Sequence, residues 1–299
     1  MERFVFMYKR LLSAKKYLDR GIYSIHPNMR TFTSGRKMTI SFPEGTLSSK
    51  QRMVYLLEKL FPVVVAGRKN KEFLGRAVYF SNTPDIRLAD LKIFDEKEKK
   101  VLTFCSDKER WETVTAQKKQ ASKFFPTPLL CEVNKEKLSY TEEIKEHPKE
   151  SVENYKESFD KILDWYCGYF KNTESQKSNK GNIKIPVYFQ HGDLSEDNVI
   201  AGKELCFIDF DHCGEYPIFY DAFYLALHLA VIKGKPQYLQ SFINGEYKDK
   251  AERTLKSVCD AEYKECIKAF VDVFKKRWVD NLPQHHKERY QKFFDMMLE

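Results

Sequence analysis

The passage 186–221, PVYFQHGDLSEDNVIAGKELCFIDFDHCGEYPIFYD, holds the residue types best suited to chemistry. Two short apolar runs, VYF and CFIDF, read as strands, and the polar loop between them carries His191, Asp193, Glu196, Asp197 and Asn198. Groups hung at strand ends in this way can be aimed by a rigid sheet. Asn198 lies five residues after Asp193, and Asp209 follows eleven later, after a hairpin through Gly202. Transfer of a phosphoryl group from a nucleotide requires such a set: a carboxylate to accept the attacking hydroxyl's proton, and hard oxygen ligands to hold magnesium against the phosphates. An Asp carboxylate and an Asn carbonyl suit magnesium, which prefers oxygen and retains several waters. Glu196 and Asp197 add two acids beside this loop, read as a solvated pair, with binding of a cationic group or second metal as the alternative.

The surrounding elements must position that loop. Val152, Tyr155, Phe159, Ile162, Leu163, Tyr166 and Tyr169 keep helical spacing before it, and helices are expected after it at 218–232, 236–244, 251–277 and 283–297. The first half reads differently. RAVYF (76–80), DLKIF (90–94) and VLTFC (101–105) are β-branched or aromatic runs separated by polar turns, as are PTPLLCEV (126–133) and KLSYTEEI (137–144). Between them a helix opens at Ser106-Asp107 and carries Trp111, Val114, Ala121 and Phe124 on one side. Residues 4–20 carry a helix signal, 24–46 look irregular, and a helix capped at Ser48 or Ser49 runs through Met53, Leu56, Leu57 and Leu60 to Pro62. The polar, proline-bearing stretch 145–151 reads as a linker. The expected class is α+β, with a basic, partly helical segment at 1–62, a strand-rich region at 63–145 and a mainly helical region at 146–299.

Composition narrows the function classes. With 42% hydrophobic and 14% aromatic residues the chain can bury a core, which excludes global disorder. No run approaches the roughly 18–20 apolar residues that span a bilayer. The start, MERFVFMYKRLL, mixes charge into its apolar run and lacks a cleavage site, so no export is expected. Seven cysteines are scattered singly, with no zinc spacing, which suits a reducing cytoplasm. Charge is uneven: residues 1–122 hold 25 Lys+Arg against 13 Asp+Glu, and the remainder 26 against 30. Such a block reads as a solvated face or, because Phe4, Phe6, Tyr8, Tyr17 and Tyr23 interleave with the basic residues, as a surface for phosphates, anionic glycans or peripheral contact with an anionic membrane face. It contains no nucleic-acid recognition motif, and no nucleic-acid partner is expected.

HGDLSEDN followed by IDFD resembles the catalytic and metal-binding motifs of the aminoglycoside phosphotransferase/choline kinase-like family, which has a protein-kinase-like fold. The matching residues are His191-Gly192-Asp193, Asn198, Ile208-Asp209-Phe210, Pro217 and Asp221. The resemblance is specific over about 186–225 and compatible in layout from roughly 75 to 299. It implies a two-lobed molecule: a small, mainly antiparallel β N-lobe with one helix that binds the nucleotide, and a larger, mainly helical C-lobe that holds the catalytic and acceptor sites. By the same resemblance Asp193 would be the catalytic carboxylate, Asn198 and Asp209 the Mg2+ ligands, His191 and Asp221 braces of the loop, and ATP the co-substrate. The chain also departs from the family. Ser195 stands where His is frequent, and Glu196-Asp197 where Pro-Gly is frequent. The strand lysine that touches the phosphates aligns with Thr103, so Lys92, or Lys100, would supply that charge. Glu112, ahead of Glu109, is the candidate helix acid, and Glu143 and Ile144 fall where the family binds adenine. There is no GxGxxG, and Gly67, Gly75 and Ser81-Asn82-Thr83 mark only polar turns.

For the acceptor, Asp211, Glu215 and Tyr216, with Tyr220 and Tyr224, lie just past Asp209. Acids and aromatics can cradle a cation, as the family's choline and aminoglycoside kinases imply. The three tyrosines are equally spaced as a core stripe. The basic first 122 residues favour an acidic acceptor instead, and DFDHCGEYPIFYDAFYLALHL is similar to family members of bacterial surface-polysaccharide and lipopolysaccharide synthesis. The expectation is an ATP- and Mg2+-dependent phosphotransferase acting on a sugar or glycolipid hydroxyl. The alternatives are a kinase of an aminoglycoside or choline-like amine, and an inactive kinase-fold binding module at an anionic glycan or membrane surface.

Overall fold

The computed structural model describes residues 2–28, 30–35, 48–60, 63–65, 73–81, 85–145, 155–177, 185–202 and 204–299. Gly67, the Asn82-Thr83 turn, the stretch beyond residue 35 that reads as irregular and most of the expected 145–151 linker lie outside these residues. The chain divides into two compact units, residues 1–122 with 128–146, and residues 123–127 with 147–299. The class is α+β, with antiparallel strands concentrated in the first unit and helices in the second.

In the first unit, α1 (Glu2–Ser13) precedes β1 (Gly21–Ile25) and β2 (Thr31–Ser34). Then come α2 (Ser49–Lys59), β3 (Val63–Val65), β4 (Ala77–Phe80), β5 (Leu91–Asp95), β6 (Lys100–Phe104), α3 (Lys108–Ala121), β7 (Leu130–Asn134) and β8 (Ser139–Glu143). The strands form one sheet in the order β3-β1-β2-β4-β5-β6-β8-β7, antiparallel at every step. Strand β2 and the end of β1 fall in the stretch 24–46 that the sequence presents as irregular, and no strand is expected over 21–23. Ile22 and Tyr23 are both apolar, so alternation is hidden, yet Tyr23, Ile25 and Phe32 are buried while Ile22 faces out. The sheet packs its buried residues, including Phe80, Leu91 and Ile93, against Met7 and Leu11 of α1. The first unit thus carries α1 and α2 as well as the expected helix α3.

The start of α3 is fixed by two acids. Asp107 caps the helix by accepting from the Arg110 amide at 2.8 Å. Asp90, 2% exposed at the head of β5, accepts from the Ser106 amide at 3.2 Å and from the Arg110 guanidinium at 3.0 and 3.1 Å. Trp111, Val114 and Tyr140 then bury the helix on the sheet face that bears Thr103.

The second unit begins its helices with α4 (Tyr155–Asn172), followed by β9 (Gln176–Lys177) and β10 (Pro186–Gln190). The short β11 (Val199–Ala201) and β12 (Leu205–Phe207) form a hairpin, and β13 (Gly214–Pro217) pairs antiparallel with β10. Five helices close the unit: α5 (Tyr220–Ile232), α6 (Gln237–Asn244), α7 (Glu246–Val258), α8 (Tyr263–Phe274) and α9 (Gln284–Leu298). The single helix expected over 251–277 is two. Cys259 turns to extended backbone and Glu262 opens α8 in a capping box with Glu265, whose carboxylate accepts from the Glu262 amide at 3.2 Å. A π-helical turn, Lys275–Val279, continues α8. Among the described residues no helix is long and apolar enough to cross a membrane, and the seven cysteines are free thiols.

Replacing Asp90 by Ala strands the partly exposed Arg110 guanidinium and leaves the Ser106 amide unpaired. The expected loss is about 2 kcal/mol of folding stability, read as a lower denaturant midpoint with unchanged slope.

Candidate active site

Strand β10 ends at Gln190 and the chain turns through His191-Gly192-Asp193. Gly192 has φ +80°, and a side chain there would strike the His212 carbonyl and the Tyr216 ring, so glycine is required by both space and backbone. Asp221, fully buried at the start of α5, gathers this turn. Its carboxylate accepts from the His191 amide at 2.6 Å, the Gly192 amide at 2.8 Å and the Tyr166 hydroxyl at 2.5 Å. Burial pushes the Asp221 carboxyl above its ordinary range, opposed by the His191 charge and by those three donors. Burial, reinforced by the Asp221 charge, also drives the Tyr166 hydroxyl well up, so it stays a donor. Gln190, also fully buried, locks the adjacent strands by donating to the carbonyls of Pro217 at 2.7 Å and Tyr216 at 3.1 Å. His191 Nε2 lies 2.7 Å from the Ile208 carbonyl, and the ring packs on Phe210. The HGD turn and the IDF turn are thereby tied to one another.

Asp193 is half-buried. Its Oδ1 accepts from the Tyr224 hydroxyl of α5, and burial followed by the Asp193 charge raises the tyrosine so that the proton stays on Tyr224. The Asn198 side-chain amide donates to the Asp193 carbonyl at 2.9 Å, and the Asn198 carbonyl accepts from Ile208 at 3.0 Å. With Nδ2 engaged inward, Oδ1 is the ligating atom that Asn198 has to offer. Asp209 is exposed and sits at φ 64°, the left-handed region that Asp tolerates better than most side chains. Buried Phe207 and Phe210 on either side hold the backbone that adopts it. Two hard oxygens from this loop fit a magnesium ion that takes its other ligands from phosphate and water. Among the described residues no group of three or more His, Cys, Asp or Glu could hold an ion without such help.

Glu196 departs from expectation. It is not solvated: its carboxylate meets His228 Nδ1 at 2.8 Å and Lys233 Nζ at 2.5 Å, with 17% of the side chain exposed. Burial raises its carboxyl, but hydrogen bonds from His228 and Lys233 outweigh this and bring it down to about 2. The acid pins the loop to α5. Asp197 alone remains exposed.

The remaining sequence candidates are spread more widely. Tyr216, on β13, is 4% exposed. One face of its ring stacks on Tyr220 at 4.3 Å, Arg277 stands 5.2 Å over the ring, and its hydroxyl donates to the His212 carbonyl at 2.7 Å. Glu215 is exposed on the same strand, and Asp211 lies half-buried in the turn before it. In the first unit, Lys92 on β5 is the direct cross-strand partner of Thr103 on β6, so both side chains share the face against which α3 packs. Glu112 is exposed on α3 and pairs with Lys108 at 3.7 Å. Glu143 ends β8, pairing with Lys145 at 2.8 Å, and the Ile144 amide donates to the Lys99 carbonyl at 2.8 Å. Nothing in the sequence singles out Gln190, His228 or Arg277, Tyr166 reads there as a packing residue, and Tyr224 reads as either an acceptor-side aromatic or part of a core stripe. Their polar atoms act through contacts 26 to 65 residues distant in sequence, and no local signal marks them.

Because Glu196 is depressed from 4.5 to about 2 in the folded chain, its stabilisation is full above about pH 4.5 and is lost as pH falls toward 2. Glu196→Gln should therefore lower the denaturant midpoint near neutral pH, and the gap to wild type should close progressively in acid.

No curated protein matches the chain in sequence. Among solved structures, an aminoglycoside phosphotransferase, APH(3'')-Id from Streptomyces rimosus, is similar at 10% identity and TM-score 0.42, over 74% of this chain and 92% of that one. The amicoumacin kinase hAmiN in complex with AMP-PNP, Ca2+ and Ami is similar at 10% identity and TM-score 0.40, over 74% and 87%. A choline/ethanolamine kinase family protein from Mesorhizobium loti is similar at 11% identity and TM-score 0.40, over 73% and 86%. The family model described as the phosphotransferase enzyme family matches residues 178–255. Asp193, Asn198, Asp209 and Asp221 all lie within the residues that this family model matches.

Proposed function

We propose that the protein is an ATP- and magnesium-dependent phosphotransferase acting on a hydroxyl of a sugar or glycolipid, of the surface-polysaccharide or lipopolysaccharide type. The observation that carries this reading is the Asp193 carboxylate, oriented by Tyr224 on a loop braced by Asp221, within the segment that matches the phosphotransferase family. Tyr224 occupies Oδ1 and leaves Oδ2 for the acceptor. The acceptor hydroxyl gives its proton to Asp193 as its oxygen bonds the γ-phosphorus, the bond to the β-bridging oxygen breaks, and ADP leaves. Asn198 and Asp209 would hold magnesium, whose charge, when bound, offsets that on the phosphates. His191 keeps the two turns in register. Lys92, directly opposite Thr103, is the proposed phosphate-binding lysine. Glu112 is the proposed helix acid, and Glu143 with Ile144 the proposed adenine contacts, on their positions at α3 and the end of β8.

Arg277 favours this acceptor class over an amine. The ring faces of Tyr216 are taken by Tyr220 and by that exposed guanidinium, which also meets His212 Nδ1 at 3.2 Å. Arg277 offers a guanidinium that can pair with a phosphate or carboxylate on the acceptor, a contact that a choline-like cation cannot make. The basic first 122 residues would bring such an acceptor to the protein at an anionic membrane face.

The test is magnesium-dependent transfer of labelled γ-phosphate into polar lipids and soluble sugars. Asp193→Ala should lower transfer by about a hundredfold to ten-thousandfold, and Tyr224→Phe should lower kcat about tenfold and move its pH profile, with the KM for ATP unchanged. Equal labelling by wild type and Asp193→Ala would overturn the mechanism. Protection of an expressing strain against aminoglycosides would favour the amine reading, and nucleotide binding without transfer or hydrolysis the binding module. Arg277→Ala should raise the KM for the acceptor about tenfold while kcat holds, measured by varying acceptor at saturating ATP.

A further inference from the structure

Helix α2 is held with its most apolar stripe facing solvent. Tyr55 packs on the sheet core of the first unit, while Met53, Leu56, Leu57 and Leu60 are 55–72% exposed. Their spacing of three, one and three residues places all four on one side of the helix, opposite Tyr55. The helix lies against β1, and there Ile22 and its cross-strand partner Val64 on β3 are also exposed. Single exposed leucines are common on protein surfaces, but a stripe of four long aliphatic side chains marks a surface that meets something apolar.

The flanking charge indicates what it meets. Arg52 and Lys59, both exposed, border the stripe, and residues 1–80 hold 16 Lys+Arg against five Asp+Glu. A second copy of this face would bring basic surface onto basic surface, because a two-fold contact pairs a patch with itself. A folded protein partner is disfavoured for another reason: the stripe contains no aromatic or arginine anchor and no polar group to direct a specific contact. Leucines flanked by basic side chains on a helix lying along a surface are what the boundary between headgroups and acyl chains accommodates, with the cations on anionic headgroups.

We infer that α2 is a membrane-docking helix, which inserts Met53, Leu56, Leu57 and Leu60 into an anionic lipid surface while Arg52 and Lys59 engage the headgroups. This deepens the peripheral-contact part of the reading above and rests on that reading for its purpose, whereas the binding itself requires no phosphoryl transfer.

The test is co-sedimentation of the full chain, without nucleotide, with phosphatidylcholine vesicles containing or lacking phosphatidylglycerol. Wild type should bind the anionic vesicles and leave the neutral ones. Leu57→Gln with Leu60→Gln should weaken that binding by at least about tenfold, with circular dichroism unchanged because both side chains are exposed. Arg52→Gln with Lys59→Gln should weaken it about tenfold and make the remainder less sensitive to salt. Equal sedimentation of wild type and the leucine variant would overturn the inference, as would failure of wild type to bind anionic vesicles. Light scattering that shows self-association lost in the leucine variant would assign the stripe to a second copy. Asp193→Ala should bind vesicles like wild type, which separates failure of the docking surface from failure of the proposed chemistry.

Discussion

The second unit of this protein depends on one buried carboxylate. Asp221 has no access to water, and its two oxygens take two backbone amides and a tyrosine hydroxyl. An ionised carboxyl in that position is costly unless each oxygen is satisfied, and satisfying it fixes where the His191-Gly192 backbone can run. Helix α5, which carries Asp221 at its start, delivers Tyr224 one turn later to Asp193, and His228 a further turn on to Glu196. One helix therefore sets the bracing acid, the orientation of the Asp193 carboxylate and the anchor of the loop between them. The loop has no regular secondary structure beyond a single 3-10 turn, Glu196–Asn198, and takes its order from this helix.

A second constraint acts on the backbone. Gly192 and Asp209 both adopt left-handed conformations, one in each turn, and His191 joins the turns through the Ile208 carbonyl. Glycine accepts such a conformation freely and aspartate at modest cost. That cost is borne at the residue proposed, with Asn198, to offer hard oxygens to an ion and its phosphates. The adjoining Phe207 and Phe210 pack into a cluster around Phe125 that holds the strained segment in place.

The first unit handles charge differently. Buried Asp90 organises the start of α3, and the Lys118–Glu142 pair, at 2.6 Å with both side chains largely covered, ties the end of the same helix to β8. The position where the family resemblance calls for a strand lysine is Thr103, fully buried. Strand pairing sets Lys92 directly across from it, so a cation on the neighbouring strand reaches the same sheet face. Antiparallel register alone makes that substitution geometrically simple, because directly paired residues point to the same side.

What the sequence determined by itself was set by short-range spacing. HGD, Asn198 and IDF fall within twenty positions, between apolar runs whose strand character is local, and the helical periods before and after them are equally local. The α+β division and the strands β4 to β8 were legible for the same reason. The tertiary structure decided what depends on groups far apart in sequence. Tyr166 and Tyr224 read as core aromatics, because nothing near them in the chain reveals that their hydroxyls reach Asp221 and Asp193. Glu196 reads as solvated until α5 brings His228 and Lys233 to it. The strand β1 was hidden by Ile22, an apolar residue on the outer face. The leucines of α2 carry a clear helical period, yet period shows only that they share a side. Whether that side meets the core or the surroundings was settled by Tyr55, which packs inward and turns the stripe outward. Periodicity is a property of the chain, whereas the direction a face points is a property of everything packed around it.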